Sequence, residues 1–147
     1  MGNSLTGGSV KDRGGQFVVA VTRAPKNNGT LWAATRTGRL WVSTDANASK
    51  PANVHFYRID TAATPGRFVS GITVDPNNAN HAWISYSGYG AYTPGTTQHV
   101  IEARFDPQTH KATFTNRSYD LGDQPVTGIA FDRGSGDLYA ATDFGVL

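Results

Sequence analysis

The sequence predicts an all-β fold, and three observations carry that expectation. Gly 17 and Pro 7 in 147 residues, with charged residues at only 16%, describe short elements joined by tight turns. Runs of β-branched and aromatic residues are short, and Gly or Pro interrupts them within about ten residues, too soon for a helix of usual length. The third observation is internal repetition. QFVVAVTRAPKNNGTLWAATRTGRLWV from Gln16, RFVSGITVDPNNANHAWISYSGYG from Arg67 and QPVTGIAFDRGSGDLYAATDFGVL from Gln124 share their landmarks. Phe17 and Phe68, Pro25 and Pro76, Trp32 and Trp83 are each 51 positions apart, while Gly71 and Gly128, Ile72 and Ile129, Asp75 and Asp132 are each 57 apart. A period of roughly 50 residues with four antiparallel strands is the grammar of a propeller blade. The expected architecture is therefore a β-propeller fragment of about two and a half four-stranded antiparallel blades.

Residues 1–15 are rich in Gly and Ser without periodicity and are expected to form a flexible leader. Blade 1 is expected over 16–60, blade 2 over 67–120 and an incomplete blade 3 over 124–147. In each unit the first strand (Phe17 to Thr22, Phe68 to Val74, Val126 to Phe131) is apolar on both faces, as a strand buried between two sheets should be. A turn of Pro, Asn, Gly and Asp follows: APKNNGT, DPNNAN or DRGSGD. The second strand (Leu31 to Thr35, Ala82 to Tyr86, Leu138 to Thr142) carries an aromatic, and the equivalent Trp32 and Trp83 should be buried between blades. Gly38, Gly88 and Gly145 supply the turn into a third strand, Leu40 to Ser43 or Val100 to Phe105. A fourth, Val54 to Ile59 or Ala112 to Ser118, alternates apolar with polar side chains and suits a half-exposed outer edge. A β-sandwich with some internal similarity is the plainer alternative. Val146 and Leu147 begin a third strand in the third unit, so further blades of a longer chain, the favoured reading, or head-to-tail copies of this one are expected to complete the ring.

Composition narrows the function classes. The net charge is +2, the pI is near 9.0 and the 13 Lys and Arg are scattered, so nothing calls for a nucleic-acid or anionic-membrane partner. With Cys 0 there are no disulfides, thiolate metal sites or thiol nucleophiles. The first residues lack the apolar core of a signal peptide, and no apolar run reaches the ~18 residues of a membrane helix. His55, His81, His99 and His110 form no metal-ligand pair in sequence, DPNNAN lacks the acidic twelfth position of a calcium loop, and no Gly-rich phosphate loop occurs. No cofactor or metal is expected.

LWVSTDANAS resembles the Asp-box of the BNR, sialidase-like propeller repeats, whose pattern is Ser-x-Asp-x-Gly-x-Thr-Trp between third and fourth strands. Ser43 and Asp45 match, Asn47 stands where Gly is usual, and the Thr-Trp end is absent. SGITVDPNNAN and TGIAFDRGSGDLYAATDFGV look like strand-turn-strand units of the same superfamily, which includes xyloglucanase-like and sortilin-type propellers. The resemblance implies a propeller, structural turn roles for Ser43 and Asp45, and an extracellular or periplasmic setting in a bacterium. It marks a fold more than an activity.

Asp75 and Asp132 hold equivalent positions just before a turn, where a carboxylate accepts hydrogen bonds from following amides; a structural role is expected of both. The candidate ligand-binding residues lie elsewhere. The insertion SYSGYGAYTPGTTQH, Ser85 to His99, is longer than its counterpart TRTGRL and brings Tyr86, Tyr89 and Tyr92, rings able to stack on a sugar or pack on a protein. Asp143 sits on the corresponding loop of the third unit. The leading expectation is a noncatalytic module binding a glycan or protein through these loops. The alternatives are a fragment of a sialidase-like or other glycoside hydrolase whose catalytic residues lie in other blades, and a purely structural, self-assembling repeat.

Overall fold

The computed structural model describes residues 17–90 and 98–147, and these form three antiparallel sheets with a short 3-10 turn at Pro51–Asn53. The first sheet holds β1 (Val18–Ala24), β2 (Asn27–Thr35), β3 (Leu40–Ser43) and β4 (Tyr57–Arg58). The second holds β5 (Val69–Val74), β6 (His81–Tyr86), β7 (Val100–Asp106) and β8 (Lys111–Asn116). The third holds β9 (Val126–Phe131), β10 (Leu138–Thr142) and β11 (Gly145–Val146). Within each sheet the strands lie in chain order, so every connection is a local hairpin or loop.

The sheets stack through their first strands, β1 against β5 and β5 against β9. Thr22 Oγ1 donates to the Ile72 carbonyl at 3.0 Å, and Thr73, 51 positions on, donates to the Ile129 carbonyl at 2.8 Å. One polar bridge thus recurs between successive sheets. The expected burial of the second-strand tryptophans is observed: Trp32 gives its indole N–H to the Ala79 carbonyl of the second sheet at 2.9 Å, and Trp83 stacks on Phe131 of the third with centroids 4.6 Å apart. β6 is buried at every position, as a strand with a sheet on either side must be. The core runs from Trp32, Leu40 and Val42 through Ile72, Ile84 and Ile101 to Phe105.

Most strand ends shift by one or two residues from expectation, and two places in the first sheet depart further. The first turn is confined to Pro25–Lys26, and Asn27 to Thr30 belong to β2, because a register shift at Arg23/Ala24 brings Ala24 opposite Asn27. The expected fourth strand of the first unit, Val54 to Ile59, shrinks to Tyr57–Arg58. There the His55 amide donates to Asp45 Oδ1 at 2.8 Å instead of joining the ladder.

Alternating strand direction sorts the connections onto two ends. The turns after β1, β3, β5, β7 and β9 share one end, and the connections after β2, β4, β6, β8 and β10 share the other. Gly38, in the β2–β3 turn at φ +85°, shows how closely the second end is packed: a Cβ there would lie 2.6 Å from the Pro65 carbonyl oxygen.

Candidate functional site

The aspartates of the first end serve their own turns. Asp75 Oδ1 accepts the Asn77 amide at 2.8 Å and Asp132 Oδ1 the Gly134 amide at 2.8 Å. Asp106, not singled out from sequence, does the same with the Gln108 amide at 2.9 Å. Asp45 Oδ1 accepts both the hydroxyl of buried Ser43 at 2.8 Å and the His55 amide, while its Oδ2 stands 2.6 Å from His55 Nδ1. These carboxylates are already engaged, as the Asx-turn geometry of short polar side chains predicts.

The second end presents the binding candidates. Tyr89, 40% exposed on the β6–β7 connection, donates its hydroxyl to Asp143 Oδ2 at 3.1 Å, across the gap from the second sheet to the third. That hydrogen bond raises the Tyr89 phenol above its ordinary value. Phe144, next to Asp143, is 79% exposed. Tyr86 lies apart from this pair: it is fully buried in β6, its hydroxyl has no hydrogen-bond partner among the described residues, and burial pushes its phenol far up. It is a core residue, for its position in the strand points it inward. Tyr92 lies outside the described residues.

Beneath Tyr89 is a strut. Both oxygens of Asp123, on the β8–β9 connection, accept the Gly90 amide, at 2.7 and 2.8 Å. His99 Nε2 lies 3.0 Å from Asp123 Oδ1 and Arg67 Nη1 lies 4.0 Å from it, both on buried side chains. Arg67 Nη1 also donates to the Gly88 carbonyl at 3.1 Å. The Gly90 amide foremost, then His99 and Arg67 against a burial penalty, hold the Asp123 carboxyl below its usual range. A Cβ at position 90 would sit 3.2 Å from that carboxylate, so glycine permits the close approach. Arg67, His99 and Asp123 were invisible from sequence, since no motif links positions so far apart.

A cleft of about 760 Å³ opens between the second and third sheets, with Trp83, Leu121 and Leu138 among its apolar lining. Glu102, buried in β7, faces it. Arg117 Nη2 is 2.6 Å from Glu102 Oε2, Arg117 Nε donates to the same oxygen at 2.8 Å, and Arg104 Nη2 is 2.5 Å from Oε1. Burial raises the Glu102 carboxyl, but the two guanidiniums outweigh it and hold it below the ordinary carboxylate range. His81 lies between Asp75 Oδ2, 2.8 Å from Nδ1, and Glu102 Oε1, 2.9 Å from Nε2; the second contact has ion-pair distance without hydrogen-bond direction. No group of three or more potential metal ligands exists among the described residues. Comparison of the chain with protein-family models and with curated proteins finds no match.

Proposed function

We propose that the three sheets are consecutive blades of a β-propeller and that the chain is a noncatalytic module which binds a glycan at the end carrying Tyr89 and Asp143. The carrying observation is the Tyr89–Asp143 pair, an exposed aromatic ring and a carboxylate from two adjacent sheets, joined at 3.1 Å. A sugar offers an apolar C–H face to a ring and hydroxyl donors to a carboxylate, and the pair supplies both at once. The Asp123 strut fixes the backbone at Gly90, so little ordering remains to be done on binding. Repetition of the Thr22 and Thr73 bridges supports the blade reading, because each sheet meets the next in the same way.

Glu102, the buried carboxyl of the cleft, does not suit the general acid of a glycosidase, whereas the hydrolase alternative places its catalytic residues in other blades. A glycosidase needs one carboxyl able to give up a proton to the leaving group, which requires a raised pKa. Glu102 is held in the opposite sense by Arg104 and Arg117.

The test is retention on a glycan array followed by titration of the best ligand. The wild-type chain should bind, Tyr89→Ala should weaken binding at least tenfold, about 1.4 kcal/mol, and Asp143→Ala should weaken it comparably, with thermal midpoints unchanged. A wild-type chain that is folded yet retained by no glycan would overturn the reading and favour a protein ligand.

A further inference from the structure

Tyr89 is held from both sides. The carbonyl of Gly88, before it, accepts from Arg67 Nη1 at 3.1 Å, and the amide of Gly90, after it, donates to both oxygens of Asp123 at 2.7 and 2.8 Å. Arg67 and Asp123 stand 4.0 Å apart, so one ion pair grips the backbone on each side of the ring. Against Asp123 lies His99, 0% exposed and one residue ahead of β7. Its amide donates to the Ser118 hydroxyl at 2.8 Å and its carbonyl accepts the Tyr86 amide at 2.8 Å, so the backbone that carries the ring is fixed.

Both ring nitrogens of His99 face acceptors. Nδ1 is 3.2 Å from the Tyr86 carbonyl oxygen, which can only accept, and Nε2 is 3.0 Å from Asp123 Oδ1. The Asp123 carboxyl, held below its usual range by the Gly90 amide first, is ionised near neutrality and accepts as well. A histidine ring donates from both nitrogens only when it carries both protons. A neutral ring would turn a lone pair on the Tyr86 carbonyl or on the Asp123 carboxylate, and that acceptor would lose its buried partner. Among the described residues the charged groups facing the ring are Asp123, from the β8–β9 connection, and beyond it Arg67, from the β4–β5 connection. From β6 the ring meets a backbone carbonyl, and residues 91–97 contain no acidic or basic side chain.

We infer that His99 is a pH-sensitive positioning residue: its doubly protonated ring keeps Asp123 on the Gly90 amide, and release of one proton as pH rises frees the loop that carries Tyr89. The clamp contributes while the ring is charged and is lost as pH rises through the titration of the ring. On the acid side it is lost as pH falls through the depressed titration of Asp123. A ligand that needs Tyr89 in place beside Asp143 is held between these limits and released above them, because the cost of ordering the loop then falls on binding. The effect on binding rests on the reading of Tyr89 and Asp143 as a glycan site; the clamp itself does not.

The Gly90 amide reports the clamp directly, since a charge-assisted bond to a carboxylate moves an amide proton downfield. In proton–nitrogen NMR spectra of the ligand-free chain, titrated from about pH 5 to about pH 9, it should move upfield with the same midpoint as the His99 ring, while the amides of β2 and β3 stay in place. His99→Gln and, independently, Asp123→Asn should flatten that titration, with the strand amides showing that each variant is folded. The Asp123 side chain is 39% exposed, so Asp123→Asn carries the comparison where His99→Gln does not fold. The affinity for the glycan selected on the array should fall at least tenfold over the same range in the wild type and stay level in Asp123→Asn. A Gly90 amide that ignores pH, or that titrates alike in wild type and Asp123→Asn, would overturn the inference even if glycans bind. An affinity level across the range would overturn the coupling to binding. A Gly90 amide that titrates as described, on a chain retained by no glycan, would uphold the clamp and overturn the glycan reading.

Discussion

Trp32 and Trp83 occupy the same place in successive sheets, yet their surroundings differ in a way that separates their energetics. Trp32 is closed in by Ala79, whose carbonyl takes the indole proton, and by the edge of Phe105 at 6.5 Å. Trp83 lies between His81 and Phe131, with its outer side on the cleft. Replacing Trp32 with Ala removes a wholly buried ring and strands the Ala79 carbonyl, and should lower stability by about 3–5 kcal/mol. Trp83→Ala should fall at or below the low end of that range, because water already reaches the cleft. Urea unfolding of both variants checks this; an unchanged midpoint for Trp32→Ala would refute the packing account. At this scale the repeat was a sound guide to Trp32 and Trp83, both buried, but not to their equivalent Tyr139 or to Val21, the equivalent of buried Ile72, which are exposed. It was a poor guide to Tyr86, whose place inside the long tyrosine-bearing insertion suggested the surface. Tyr86 closes a strand buried along its whole length, whereas Tyr89, three residues on, lies past the end of that strand and is exposed.

The turns illustrate the same point for whole elements. An aspartate two residues ahead of a free amide is legible in sequence, so the Asp75 and Asp132 turns follow directly from DPNNAN and DRGSGD. The shortness of β4 was not legible, because it depends on His55 meeting Asp45 ten positions earlier, a contact that only the folded hairpin makes. The turn aspartates also give the fold a defined response to acid. Asp45, Asp75, Asp106 and Asp132 all lie below the ordinary value of 3.8. For Asp45 and Asp75 burial pushes upward first and is overcome by His55 and by the Asn77 amide with His81; for Asp106 the Thr109 hydroxyl leads, and for Asp132 the Gly134 amide. A carboxyl depressed in the folded state contributes stability that is complete above its unfolded pKa and disappears as pH falls through the folded one. The thermal midpoint should therefore hold down to about pH 5 and decline below about pH 4, with a shallower decline in Asp132→Asn. A midpoint that rises on acidification would contradict the sign.

Over the whole molecule, the all-β class and the order of strands could be read from periodicity and turn residues, because both are local. The candidate binding end was half legible: the insertion marked Tyr89 and the loop position marked Asp143, but their meeting depends on the second and third sheets being neighbours. The Asp123 strut and the Glu102 pairs were not legible, since nothing local distinguishes a surface arginine from one that closes over a buried carboxylate. Burial is deepest in β6, buried throughout, and stays high in β2 and β3 of the first sheet, while most positions of β1 and β9 touch solvent. Amide hydrogens at Ala82 to Ser85 should accordingly exchange with deuterium last, those of β9 and β10 early, and the molecule should open from its flanks inward rather than all at once.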